Sequence, residues 1–303
     1  MTSFETVRVA AIQATPVILD VDATIEKAEG LLHVAADAGA RLAVLPECFV
    51  SLYPSGSWAG STNPWNDAFD ALWGRLWASG VDVPGPMLDR LAAVCRERDL
   101  HATIGVNERD SQRPGSLWNT LAYLGPSGFL GKHRKLMPTV HERLFHAIGA
   151  GDDLQVHDTP IARIGGLICW ENLMPLARYA VYRGGPQIYV APTADDSEAW
   201  LGSMRHIARE AGAFVVSVPQ FIPAAAFPAN FPVALPEGKE VLGDGGAAII
   251  DPNGAVVAGP LYGKEGMVLH DCVLGDALNA KRTFDVSGHY GREDVLLPLL
   301  TGR

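Results

Sequence analysis

Three polar residues follow apolar runs in this chain: Glu47 after Val44-Leu45-Pro46, Lys135 after the run 129–132, and Cys169 after Leu167-Ile168. Together they offer a nucleophile, a base to deprotonate it and a cation to hold developing negative charge. Hydrolysis at a carbon–nitrogen bond needs those three things. Each residue also has a plainer reading. Glu47 could be a helix-start carboxylate. Lys135 belongs to the charge run Lys132-His133-Arg134-Lys135. A free Cys is commonly a small buried hydrophobe. The stretch Gly165-Gly166-Leu167-Ile168-Cys169-Trp170-Glu171-Asn172 reads as a short buried strand turning sharply into a helix over Leu173 to about Arg183. Such a turn pushes its residue out at the carboxyl end of the strand, where open α/β sheets bind ligands. Unpaired N–H groups at the helix start would favour a thiolate there.

The elements that must position these residues alternate in type. β-branched and apolar runs predict strands at Val7–Ile12, Leu42–Leu45, Ala102–Val106, Trp118–Leu124 and Phe129–Lys132. Later runs predict a hairpin or strand pair over Ile161–Ile168, then strands at Ile188–Val190, Phe214–Val218, Gly246–Ile250, Ala255–Ala258 and Met267–Leu274. Helical spacing predicts helices at Asp20–Ala38, Asn66–Ala78, Met87–Arg98, Trp200–Ala211 and Gly275–Arg282. Asp251-Pro252-Asn253-Gly254 is a hairpin turn, Pro192-Thr193 closes a strand, and Ser51–Ser61 and Ile222–Pro236 read as loops. Alternating short strands and helices imply an α/β sheet protein. No linker, repeat or low-complexity segment divides it, so residues 1–303 read as one domain.

Composition narrows the function. The chain has 303 residues, 48% of them hydrophobic, and a formal net charge of −10, which argues against nucleic acid or an anionic membrane as a general partner. No apolar run reaches the length of a membrane span, and Met1 to Thr6 lack a secretory pattern. Cys48, Cys95, Cys169 and Cys272 lie far apart with no C-x-x-C, so a disulfide framework or zinc knuckle is not expected, and a reducing cytoplasm is. His141-Glu142 with His146 imitates a zinc-protease helix. However, the second His falls five residues after the first, a step that turns it roughly 140° away. No metal and no cofactor are expected.

Three dispersed motifs then form a recognisable set. Pro46-Glu47, His133-Arg134-Lys135-Leu136-Met137-Pro138-Thr139 and Cys169-Trp170-Glu171-Asn172 resemble, in order, the Glu–Lys–Cys signature of the nitrilase superfamily. Cys-Trp-Glu-Asn with Met174-Pro175-Leu176 is closer to the true nitrilase branch than to the amidases or carbamoylases. Segments near Ser203–Ala208, Gly245–Pro252 and Arg282–Tyr290 fit that branch, and the likeness covers nearly the whole chain. The resemblance implies an α-β-β-α sandwich that doubles to α-β-β-α-α-β-β-α on dimerisation. It also implies roles: Cys169 the nucleophile, Glu47 the general base, Lys135 the cation for the tetrahedral and thioimidate species. Glu142 would be the second glutamate, positioning lysine, substrate and the attacking water. The implied reaction converts an organic nitrile to the carboxylic acid and ammonia through a cysteine thioimidate and thioester.

The chain departs from the family pattern in two places that would border the substrate. The loop from Ser51 keeps Tyr53-Pro54 but is otherwise loose, and His146 stands where many nitrilases carry Trp. Tyr53, Thr139, His146, Trp170, Pro192 and Thr193 are the expected pocket residues, since they adjoin the catalytic ones in sequence. Amidase activity or partition to the amide would use the same Glu–Lys–Cys site. A catalytically silent binding protein on this fold is the reading from another class, and the presence of all four polar residues disfavours it. A homodimer or small even-numbered homo-oligomer is expected. It would pair through helices 173–183 and 200–211, and the short carboxyl tail after Asp294 argues against a long filament.

Overall fold

The computed structural model describes residues 4–56, 58–59, 63–112 and 114–302. Positions 57, 60 and 61 of the expected loop from Ser51 lie outside the described residues, as do Met1 to Ser3 and Arg303. The first half holds β1 (Thr6–Gln13), α1 (Val21–Asp37), β2 (Leu42–Val44), α2 (Asp67–Ala78), α3 (Pro86–Arg98), β3 (His101–Arg109), β4 (Leu117–Gly125) and β5 (Gly128–Arg134). The second holds β6 (His157–Asp158), β7 (Arg163–Gly166), α4 (Pro175–Arg183), β8 (Ile188–Thr193), α5 (Glu198–Ala211), β9 (Phe214–Pro219) and β10 (Phe221–Pro223). It closes with β11 (Val241–Ile250), β12 (Val256–Tyr262), β13 (Gly266–Val273), α6 (Leu274–Thr283) and α7 (Glu293–Thr301). Helix starts coincide with side chains able to accept an otherwise unpaired N–H: Asp20 accepts from Ala23, Asn66 from Phe69 and Ser197 from Trp200.

Two sheets face each other. The first has the order β13-β1-β2-β3-β4-β5, and the second β10-β11-β9-β8-β7-β6, with β12 paired to β11. Val9, Val44 and Leu121 of the first meet Ile188, Val190, Val216 and Ile249 of the second in a fully buried layer. Helices α1 and α3 cover the outer face of the first sheet through Ile25, Leu32, Leu88 and Leu91. Helices α4 and α5 cover the second through Val181, Met204 and Ile207. The result is the expected α-β-β-α sandwich. β1, β2 and β3 run parallel, and two antiparallel pairings bring β5 back into the direction of β2. The carboxyl ends of β2 and β5 and the amino end of β4 therefore share one edge, the edge that carries Glu47, Lys135 and Asn119.

Several expectations are corrected. The strand before Cys169 ends at Gly166, and Leu167-Ile168 continue it without ladder pairing. The turn after it is a 3-10 segment, Cys169–Leu173, so α4 starts only at Pro175 and its amino end is not at the thiol. The expected hairpin begins earlier, with β6 at His157–Asp158. The loop after Ile222 contains part of a short strand, β10, on β11. Helix α7 was not foreseen: its run Val295-Leu296-Leu297 and Leu299-Leu300 is interrupted by Pro298 and exposed. The apolar faces assigned to pairing are mostly internal, because Tyr182, Met204 and Ile207 pack on the protein's own sheet. Leu173, Met174 and Leu176 remain exposed around the start of α4. Among the described residues, no helix is long and apolar enough to cross a membrane.

Candidate active site

Glu47, Lys135 and Glu142 come from three separate segments and meet in a fully buried cluster. The Lys135 ammonium donates to Glu47 Oε1 at 2.8 Å and to Glu142 Oε2 at 2.6 Å. Asn119, near the start of β4, donates from one Nδ2 to Glu47 Oε1 at 2.6 Å and to Glu142 Oε1 at 2.8 Å. Glu142 also accepts the Thr139 N–H at 2.8 Å and the Tyr53 hydroxyl at 3.3 Å. The other oxygen of Glu47 is buried and has no protein hydrogen-bond partner among the described residues. Such an atom is an acceptor kept available. Close packing fixes the backbone here. A side chain on Gly105 of β3 would bring its Cβ to 2.5 Å from Cys48 N and 2.6 Å from Glu47 Cα, so only glycine lets β3 lie against the segment that carries Glu47.

The two carboxylates are driven apart electrostatically. Burial raises the pKa of Glu47 against the lowering effect of Lys135, and Glu142's charge raises it further. At Glu142 burial acts the same way but loses to Lys135 and His146, so this carboxyl falls well below the ordinary carboxylate range. Burial pulls the Lys135 ammonium down, yet Glu47 and Glu142 outweigh it and hold its pKa well above the ordinary lysine value. One carboxylate that gains a proton readily and one that stays ionised beside a fixed cation is a division into base and anchor.

Cys169 lies on the other sheet's side of the site, after β7. Its φ is +51°, a left-handed conformation rare for a non-glycine residue and typical of a side chain held at a sharp functional turn. The thiol is buried, accepts the Thr193 hydroxyl at 3.2 Å, and is drawn down by the Ala194 N–H. Burial and the charge of Glu47 dominate, pushing its pKa up to about 12. The expected helix-start thiolate is therefore corrected: this sulfur is a thiol at rest, and a base must take its proton in the reaction. Gln220 donates to the Glu47 carbonyl at 2.6 Å, bridging the two sheets at the site.

The expected pocket residues divide. Tyr53 touches Glu142 directly, Thr139 touches it through its backbone, and Thr193 touches the Cys169 sulfur. Pro192 is buried in β8 beside Thr193. His146 lies behind Glu142, with Nδ1 3.1 Å from Glu142 Oε1 and Nε2 2.6 Å from Asn107 Oδ1. Trp170 is 45% exposed, and its ring N–H donates to Asp195 at 2.8 Å. A cavity opens beside Tyr53 and Ala194 and is lined by Leu52, Trp58, Gln220, Ile222 and Leu242. Sequence reading missed Asn119, Asn107 and Gln220. Only Asn119 carried a signal, as an amide inside the mainly apolar run Trp118–Leu124. Among the described residues, no group of His, Cys, Asp and Glu is arranged to hold a metal.

Comparison with known proteins bears on the family and the fold. The carbon-nitrogen hydrolase family pattern matches residues 8–282. A bifunctional nitrilase/nitrile hydratase of Lupinus angustifolius is 44% identical over 96% of this chain and 85% of its own length. An aliphatic nitrilase of Sinorhizobium fredii is 44% identical over 97% and 94%. Among solved structures, a carbon-nitrogen hydrolase from Helicobacter pylori superposes with a TM-score of 0.75 at 17% identity, covering 98% of this chain and 99% of that one. A superfamily protein of Xanthomonas campestris with an arsenic adduct in its active site gives 0.71 at 19% identity over 93% and 96%. The chain belongs to the carbon-nitrogen hydrolase family, in its nitrilase branch.

Proposed function

We propose that the protein is a nitrilase that hydrolyses an organic nitrile to the carboxylic acid and ammonia, with Cys169, Glu47, Lys135 and Glu142 as its catalytic residues. The observation that carries this reading is the buried Lys135 ammonium held between two carboxylates of opposite pKa shift, with a protonated thiol close enough to feel Glu47. Glu47 takes the Cys169 proton as sulfur attacks the nitrile carbon, which needs a thiolate because it is a weak electrophile. Lys135 stabilises the charge that develops on nitrogen, and protonation of that nitrogen gives a thioimidate. Water then adds, its proton passing to Glu47, and loss of ammonia leaves a thioester. A second water releases the acid and restores the thiol. Glu142 stays ionised, fixing the ammonium and orienting water. Expulsion of sulfur instead of ammonia from the tetrahedral species would release the amide, a second outcome in keeping with the Lupinus relative's description as a bifunctional nitrilase/nitrile hydratase.

Ammonia release from a panel of aliphatic, aryl and arylacetonitriles, with acid and amide quantified, tests this reading. Cys169→Ala should abolish turnover and keep the fold, and Cys169→Ser should be nearly as inactive. Turnover of nitriles by the Ala variant would sink the assignment. Hydrolysis of amides alone would transfer the protein to amidase chemistry. The assembly we infer is a dimer or small even-numbered oligomer paired over the exposed start of α4, at Leu173, Met174 and Leu176. Light scattering over a dilution series decides it, a stable and fully active monomer being the refuting result.

A further inference from the structure

The strand end that carries Lys135 and the turn that carries Cys169 are tied together by one carboxylate. Glu171, with a fully buried side chain, accepts the Ile168 N–H on Oε2 at 2.8 Å and the Leu136 N–H on Oε1 at 2.5 Å. Ile168 immediately precedes the nucleophile and Leu136 immediately follows the lysine. The same carboxylate receives His133 Nε2, 3.2 Å from both its oxygens. His133 Nδ1 in turn lies 3.1 Å from Asp153 Oδ1, and the other oxygen of Asp153 accepts the Arg134 N–H at 2.9 Å. Both ring nitrogens of His133 thus face carboxylates, which are acceptors only, and an imidazole can donate to both only as imidazolium. A buried charge is tolerated when it is paired and hydrogen-bonded on every side, and this one is.

We propose that His133 is a positioning residue for catalysis. Held by Asp153, it fixes the Glu171 carboxylate so that this one group sets Cys169 against Lys135 across the gap between the two sheets. His133 touches no reacting atom. Its pKa fits the geometry: burial would lower it, but the hydrogen bonds to Asp153 and Glu171 outweigh burial and push it up to about 9. The carboxylate is the right connector for the job. A glutamine at 171 would turn an NH2 toward one of three donors, so one of the two backbone ties or the histidine contact would be lost.

This inference rests on the Glu–Lys–Cys reading of the site, and its test includes a readout that needs no nitrile. For the wild type and the His133→Gln, Glu171→Gln, Asp153→Asn and His133→Gln/Glu171→Gln variants, three quantities are measured. They are kcat and KM for one nitrile, the rate of Cys169 alkylation by iodoacetamide resolved by peptide mass spectrometry, and Tm. A misplacement of about 1 Å costs on the order of 10²-fold in rate. His133→Gln and Glu171→Gln should therefore each lower kcat ~10–100-fold with KM changed less than about threefold, and should slow alkylation. The double variant should be no worse than the poorer single one, because the two residues act as one unit. Asp153→Asn, at the outer end of the chain and least able to disturb the core, should show a smaller loss of the same kind. Lowered Tm with wild-type kcat and alkylation in folded protein would reduce His133 to a stability role and overturn the proposal, as would multiplicative losses in the double variant. If the buried variants do not fold, wild-type kcat and alkylation in Asp153→Asn overturn it equally. Absence of nitrile turnover by the wild type, with alkylation still slowed in the variants, would instead defeat the nitrilase reading and leave the positioning role standing.

Discussion

The Thr193 hydroxyl donates to the Cys169 sulfur at 3.2 Å. The direction of that bond is set by a second one, since the Thr193 oxygen accepts the Asp195 N–H at 2.9 Å and its proton is left to point at sulfur. A donor aimed at sulfur favours the thiolate and works against the burial that raises the thiol pKa to about 12. Thr193→Val keeps the shape and removes the donor, and hydrogen bonds to charged groups contribute roughly 1.5–3 kcal/mol. Alkylation of Cys169 near neutral pH should slow about tenfold or more. Its pH profile should move to higher pH, whereas Thr193→Ser should stay close to wild type. An unshifted profile in the valine variant would show that the contact does not act on the thiol.

Glu142 accepts from Lys135, Asn119, Tyr53 and the Thr139 N–H. Glu142→Gln sets an NH2 among those donors and leaves the buried ammonium one carboxylate short. Breaking one side of a buried ion pair costs about 3–5 kcal/mol. The variant should melt earlier and lose turnover by about 10²–10⁴-fold, the usual range for a positioned acid–base group. Cys169 should still alkylate, since Glu47 remains. Wild-type turnover and Tm would remove Glu142 from both roles.

How far the sequence could be read depended on what each feature needs. Glu47 and Cys169 were legible because each directly follows an apolar run, Lys135 because it closes the charge run at the end of an expected strand, and the sandwich was legible because strand and helix periods alternate and the motifs resemble a known family. The cause of thiol activation was not. A turn after a strand resembles a helix start in sequence, but Pro175 cannot supply an N–H and can sit at the first position of a helix. The helix therefore begins there, six residues past the cysteine. Asn119 was visible as a polar residue in an expected strand and Asn107 fell just past the end of another, yet these two have partners 72 and 55 positions away, and local pattern carries no such information. Helix α7 was missed because Pro298 interrupts a leucine run that reads as a tail.

Stability should fall on the alkaline side through His133. Its folded pKa is raised from an ordinary 6.5 to about 9, so the charge stabilises fully below 6.5 and that contribution is lost as pH rises through about 9. A shift of this size corresponds to roughly 3 kcal/mol as an order of magnitude. Glu142 acts in the opposite sense: its lowered pKa stabilises above the ordinary carboxylate value, and this is lost in acid. Urea unfolding at pH 6 and pH 9.5 should show a larger loss for the wild type than for His133→Gln. Equal losses would mean that the imidazolium does not form.

Substrate preference should respond to the cavity wall and not to His146. Leu52, Trp58, Ile222 and Leu242 line the space beside Tyr53 and Ala194, and Trp58 is buried edge-on against Phe227 and Phe231, with ring centroids 6.0 and 5.3 Å away. Shortening Trp58 to Leu, or Leu52 to Ala, enlarges that wall without touching the ammonium or the thiol. A pocket that gains apolar volume favours bulkier apolar ligands, and one methylene of fit is worth about 1–3 kcal/mol. The kcat/KM ratio of a bulky arylacetonitrile to a short aliphatic dinitrile should therefore rise by tenfold or more, on the order of that energy. His146 has both ring nitrogens committed, one to Glu142 and one to Asn107, and Asn107 in turn holds the Leu52 carbonyl at 2.9 Å. His146→Trp should lower kcat for every nitrile by a similar factor, through the loss of a partner for Glu142, and leave the ratio alone. A ratio that moved with His146 and stayed constant with Trp58 and Leu52 would place the acyl group on the opposite side of the cluster.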